Sequence, residues 1–210
     1  MFRSQCMTAG ILFIILTFCF GRWSCINGEV NDIFAYEVYT QDIIGGDVFF
    51  EIIDPVELEY TYRLRPAKDF GTPFNASFRV ENVALVPAEP ADACTALKNA
   101  YDTRGNVVLI ERGECSFLTK TINAEMAGAR AAIITESNVE STEYDYYIEM
   151  VHDNSDRDAN IPAGFLLGKN SRVIRSTLQK LNRKYAVINL PVNLTFTPPH
   201  LINHPPWLGW

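Results

Sequence analysis

The chain has 210 residues, 48% hydrophobic and 20% charged, with a formal net charge of −7. That composition suits one packed domain with short extensions and is wrong for a disordered chain. The acidic balance, with no basic stripe carrying interleaved aromatics, excludes nucleic acid as a partner, because phosphate recognition needs the opposite sign.

The N-terminus reads as an export signal: Arg3, then an apolar run over residues 9–20. Such a run is short for a bilayer span, which needs roughly 20 residues. Cleavage is expected after Gly21, with an uncleaved signal anchor as the alternative. It would remove only one charge, Arg3, and take the net charge from −7 to −8. No other stretch is long and apolar enough to span a bilayer, so the expectation is a secreted protein with no membrane span after cleavage.

Residues 22–65 form an N-terminal extension with alternating segments at 34–39 and 48–53, read as edge strands, and at 57–62, read as a half-buried strand. Gly45-Gly46-Asp47 and Asp54-Pro55 mark turns. A short strand follows at 83–86, then a Pro-bounded loop and a brief helix over 91–100 around Cys94. Residues 107–110, Val-Val-Leu-Ile, read as a buried strand. Arg112-Gly113 breaks it, and Ser116 is placed to cap a helix whose inward stripe is Leu118, Ile122, Met126 and Ala129. Gly128 stops that helix, and residues 131–134 supply a second short apolar strand.

Between Glu136 and Asp158 lie eight carboxylates and one Lys or Arg, with Tyr144, Tyr146 and Tyr147 among them. This is a long, partly exposed excursion between strands. Residues 161–167 return to the core. Ser171 opens a helix with Ile174, Leu178 and Leu181 inward, and residues 185–190 form the last strong strand, open to continuation toward Phe196. A Pro- and Trp-rich tail occupies 198–210. The order suits an α+β domain: a β-sandwich or open barrel flanked by two main helices.

Catalytic templates fail in turn. His200 and His204 sit in the tail, and His152 stands in the acidic excursion beside Asp153, with no Gly-x-Ser-x-Gly elbow to support a triad. A His152-centred site is therefore set against a solvated loop histidine. The oxygen-rich run from Asp153 to Asp158 fits Ca²⁺ by ligand type but fails the calcium-loop template, with Ala159 at the glycine and Phe165 at the bidentate position. No zinc spacing and no phosphate loop occur. Glu111 and Arg112 read as turn residues, with an ion pair as an option. No catalytic, cofactor or metal residue is assigned.

In an exported chain Cys94 and Cys115 are the natural disulfide, each flanking the strand at 107–110; two free buried thiols are the alternative, and they would leave Cys115 as a candidate nucleophile. Cys25 is left as a free or intermolecular thiol unless cleavage lies beyond it. Asn75-Ala76-Ser77 and Asn193-Leu194-Thr195 are N-glycosylation acceptors.

Four segments in order carry a resemblance to the protease-associated (PA) domain family. They are Val86-Pro87-Ala88 with Cys94; Leu109-Ile110-Glu111-Arg112-Gly113 with Cys115-Ser116-Phe117 and Lys120; Ala127-Gly128-Ala129; and Ile161-Pro162-Ala163. Pro66-Ala67-Lys68-Asp69-Phe70-Gly71, Phe165-Leu166-Leu167-Gly168 and the Pro205-Pro206-Trp207 tail are similar to small secreted members of that family. The resemblance implies a PA domain over 66–197 and a role in protein recognition rather than catalysis. The candidate contact residues are Tyr144, Tyr146, Tyr147 and Glu149 in the acidic loop and Trp207 and Trp210 in the tail, with packing of the tail on its own domain as the alternative. The partner expected is a protein or peptide. A small secreted hydrolase, or an accessory subunit of a separate peptidase or receptor, is the competing reading.

Overall fold

The computed structural model describes residues 46–75 and 77–208. The expected export signal, Cys25, the strand at 34–39 and Trp210 lie outside the described residues. Among the described residues there are seven strands: β1 (Val48–Asp54), β2 (Thr61–Pro66), β3 (Val80–Pro87), β4 (Val107–Glu111), β5 (Ala131–Thr135), β6 (Ala163–Leu166) and β7 (Ala186–Val192). Three helices accompany them: α1 (Ala100–Thr103), α2 (Phe117–Met126) and α3 (Gly168–Lys180).

Where the sequence pattern allows a sandwich or an open barrel, the sheet closes. Its order around the ring is β1-β2-β6-β5-β4-β3-β7. The consecutive pairs β3/β4, β4/β5 and β5/β6 are parallel, and the other contacts are antiparallel. Parallel neighbours need crossover connections, which is why helices and a long loop fall between these strands.

Alternation along the parallel strands builds two apolar clusters. Val107 and Leu109 of β4 and Ala131 and Ile133 of β5 join one cluster, with Phe50, Tyr62 and Ile188. Val108, Ile110, Ala132 and Ile134 join the other, with Leu118 and Ala124 of α2. A strand buried on both faces reads as an unbroken apolar run, and that is the pattern visible at 107–110. Truncating Leu109 to Ala would cost about 2–5 kcal/mol on this account.

Several local expectations shift. Ser116 caps α2 as predicted, its Oγ accepting the Thr119 N–H at 3.1 Å. Met126, however, is 78% exposed, and the buried side of the helix is Leu118, Lys120, Thr121 and Ala124. The packed arc therefore runs through 118, 121 and 124 and rotates away from Met126. Helix α3 starts at Gly168, three residues before Ser171, with Asn170 and Ser171 both buried inside its first turn, and Leu181 is an exposed C-cap.

The alternation at 57–62 records burial rather than one strand. Val56–Leu58 form a 3₁₀ turn and β2 begins at Thr61, while Leu58 and Tyr62 are both buried and joined by a Tyr62 hydroxyl to Leu58 carbonyl hydrogen bond of 3.0 Å. Residues 91–99 are turns, not a helix, with Asp92 Oδ1 accepting the Cys94 N–H. Strand β7 stops at Val192, leaving Phe196 exposed beyond it.

Candidate interaction surface

The acidic segment connects β5 to β6 and is fastened along its length. Arg112, just past β4, reaches Glu136 with Nη1 at 3.0 Å and also pairs with Glu143. Glu111 does not pair with Arg112; its carboxylate lies 3.5 Å from Arg175 Nε. Tyr144 is buried, its carbonyl accepting the Gly168 N–H at 3.1 Å. Its ring lies so close to Gly168 that a Cβ there would come within 2.4 Å of Cδ2.

Further along, the Tyr147 hydroxyl donates to the Arg63 carbonyl at 3.3 Å. The guanidinium groups of Arg63 and Arg65 stand 5.0 and 5.4 Å from its ring centre, and both pair with the buried Asp47. Burial holds the Tyr147 phenol above its ordinary range. Glu149 bonds Lys68 at 2.7 Å, and that bond lowers its carboxyl below the ordinary value. Asp145 lies 3.5 Å from Lys169.

Asp153 accepts the Ser116 and Ser155 hydroxyls, each at 2.6 Å, and Arg157 Nη2 at 2.9 Å. These bonds, from Ser116 first, hold its carboxyl far below the usual range. Exposed ion pairs are individually worth about 0–1 kcal/mol. The apolar anchors Tyr144, Met150 and Ala159, all buried, therefore supply most of the fastening.

What the loop presents is different from what holds it. Tyr146 is 69% exposed, and Val139 and Val151 are also open to solvent. Of the loop residues expected to touch a partner, Tyr144 is buried and Tyr147 half-buried against the chain itself, Glu149 is exposed while paired with Lys68, and Tyr146 is displayed. Trp207 is half-buried on its own domain: Nε1 donates to Asn170 Oδ1 at 2.9 Å and the indole meets Tyr60 edge-on at 5.2 Å. The Thr61 N–H to Asn203 carbonyl bond, 2.8 Å, extends this strap along the tail.

His152 is held by backbone on both ring nitrogens, Nδ1 accepting the Asn154 N–H at 2.9 Å and Nε2 facing the Arg157 carbonyl at 3.0 Å. Among the described residues no group of three or more His, Cys, Asp or Glu is placed to hold a metal ion, and no helix is long and apolar enough to cross a membrane.

Cys94 and Cys115 form a disulfide with Cα atoms 5.7 Å apart. Lys120 is buried beside it, donating to the Asp92 carbonyl at 2.7 Å, with Nζ 3.3 Å from Cys94 Sγ; burial lowers its pKa. Asn75 and Asn193 are exposed and open on one cleft of about 610 Å³ walled by Phe74, Phe78, Pro191 and Val192. Each asparagine Oδ1 accepts the N–H two residues on, at 3.0 Å. The sequons are visible in sequence; their meeting in one cleft is not.

The PA domain model matches residues 81–174. The chain is 69% identical over 173 residues to the PRADC1-like protein of Drosophila melanogaster, covering 82% of this chain and 87% of that one. It is 44% identical over 82 residues to signal peptide peptidase-like 2 of Arabidopsis thaliana, where the match covers 39% of this chain and 14% of that one. It is 30% identical over 98 residues to ER degradation-enhancing alpha-mannosidase-like protein 3 of Homo sapiens, covering 46% of this chain and 10% of that one.

Proposed function

The chain belongs to the PA-domain family, and from that premise we propose that it is a secreted, non-catalytic glycoprotein whose single PA domain recognises a protein or peptide through the loop between β5 and β6. One observation carries the reading: the loop is fastened from Glu136 to Asp153 and still turns Val139, Tyr146 and Val151 to solvent. Apolar groups displayed on a loop ordered before binding make contact at low entropic cost.

The position of the sequons supports it. Asn75 and Asn193 open on a cleft walled by residues of β1, β3 and β7, whereas β5 and β6 each stand three strands from β7 around the ring. Glycans there would leave the loop uncovered. His152, with both nitrogens engaged by backbone, favours binding over hydrolysis, since a general base needs a free lone pair aimed at its substrate. The export signal over residues 9–20 and relatives named for signal peptide peptidase and the ER support a secretory route.

Mature protein recovered from the medium of cells expressing the full chain serves as bait in selections from a displayed peptide library. Selected peptides should lose at least tenfold in affinity on Tyr146→Asp while secretion is unchanged. Turnover of peptide or ester substrates by highly purified protein, abolished by His152→Ala, would overturn the reading. Recovery only in carbonate-washed membranes would overturn the secreted state.

A further inference from the structure

We propose that the cleft between β1, β7 and the segment entering β3 is a carbohydrate-holding cleft, and that its occupant is the proximal N-acetylglucosamine pair of the chain's own N-linked glycan. The inference rests on the glycoprotein reading above. Two acceptor asparagines 118 positions apart in sequence both line this one cleft. Its volume, about 610 Å³, lies within the range of roughly 300–1,000 Å³ typical of small-ligand sites.

The lining matches sugar chemistry on both counts that matter. A pyranose has an apolar C–H face, and Phe74 and Phe78, edge to face with centroids 5.4 Å apart, offer aromatic carbon for it to lie against. The same sugar carries hydroxyl and acetamido groups that need donors and acceptors. Glu51, Glu81, Arg79 and Asn189 supply both kinds from the cleft wall. Glu51 and Asn189 are already oriented by a 2.8 Å hydrogen bond across β1 and β7, so the polar wall is preset. In each sequon the hydroxyl residue donates to its own asparagine, Ser77 to Asn75 and Thr195 to Asn193, which engages the carbonyl oxygen and leaves Nδ2, the atom that carries the sugar, out of that bond. The glycosidic bond is made during export. Asparagine Nδ2 loses a proton and bonds the anomeric carbon of a lipid-pyrophosphate-linked oligosaccharide, and the lipid pyrophosphate leaves.

The test is NMR of secreted, ¹³C-labelled glycoprotein after trimming to the two proximal sugars. Seated sugars should show acetyl methyl signals displaced upfield by ring current from those of the same sugars on a protease-released glycopeptide. Cross-relaxation to phenylalanine ring protons should accompany the displacement. Phe78→Leu, which keeps an apolar wall but removes a ring, should reduce it, and Asn75→Gln and Asn193→Gln should assign the carrier. The cross-relaxation needs no variant, so a misfolded substitution leaves the proposal open to refutation. Acetyl signals that coincide with those of the glycopeptide overturn the cleft assignment and leave the glycoprotein reading intact. An intact mass equal to the bare polypeptide overturns both.

Discussion

The Ser116 hydroxyl donates to Asp153 Oδ2 at 2.6 Å while its oxygen accepts the Thr119 N–H at 3.1 Å. One side chain therefore caps α2 and clasps a loop 37 residues further along. Ser116→Ala should lower stability by about 1–2 kcal/mol, from the lost cap alone. In a double-mutant cycle with Asp153→Ala, thermal denaturation should show non-additive losses, because the two groups share a bond. Strict additivity would mean that the clasp contributes nothing.

Asp153 also gives a pH signature. Its carboxyl is held well below the unfolded value of about 3.9 by the Ser116 and Ser155 hydroxyls. A depressed carboxyl contributes stability that is full above the unfolded pKa and is lost as pH falls below it. Stability of the native protein should thus decline steeply below about pH 4. Asp153→Asn should flatten that decline while leaving the dependence between pH 6 and pH 8 unchanged. Denaturant melts across the acid range provide the comparison, and equal acid slopes for the two proteins would refute the assignment.

The disulfide between Cys94 and Cys115 ties the segment before β4 to the turn after it, across 21 positions. Closing a loop of that size stabilises by about 3 kcal/mol on the chain-entropy estimate. Reduction, or Cys115→Ser, should lower the denaturation midpoint accordingly and depress secretion. Peptide mapping without reduction should recover the cross-linked pair. Ready alkylation of both thiols in the native protein would contradict it.

Gly168→Ala should be costly for a reason of space. The added Cβ would lie 2.4 Å from a Tyr144 ring carbon and 2.6 Å from the Glu136 carbonyl oxygen. Displacing a packed ring commonly costs about 1–3 kcal/mol. Hydrogen exchange should rise across residues 136–150 more than across β4. Unchanged exchange in that loop would show that Tyr144 is not what orders it.

Trp207→Ala removes an indole that bonds Asn170 and meets Tyr60 edge-on. The expected loss is about 2 kcal/mol, at the low end for large-to-small changes because the ring is only half-buried. Exchange at the Thr61 amide, which donates to the Asn203 carbonyl, should increase with it. A protected Thr61 amide in the variant would mean that the tail docks without its tryptophan.

The elements legible in sequence are those whose pattern reflects immediate neighbours. Strands β4 and β5 are covered on both faces, so their residues form unbroken apolar runs, and Ser116 sits where a capping oxygen is wanted. The burial of Lys120 in α2 is not legible from pattern: its stem is buried and its ammonium group bonds the Asp92 carbonyl, a partner 28 positions away. The acidic loop is the larger lesson. Its charge density reads as a solvated, partner-seeking surface, but Glu143 pairs with Arg112 from 31 positions away and Glu149 with Lys68 from before β3. Which carboxylates are already neutralised depends on the barrel bringing distant cations to them, and composition carries no record of that.

Closure of the barrel has a bearing on self-association. Each of the seven strands has a hydrogen-bonded neighbour on both sides. No strand among the described residues is therefore left as a sheet margin with a row of unpaired amides and carbonyls, the template on which exported β-proteins aggregate edge to edge. The same property constrains recognition. On the proposed recognition reading, a closed ring among the described residues offers no margin for a peptide to add itself as an eighth strand, as happens on open sheets, so specificity would come from side chains carried on the connections between strands.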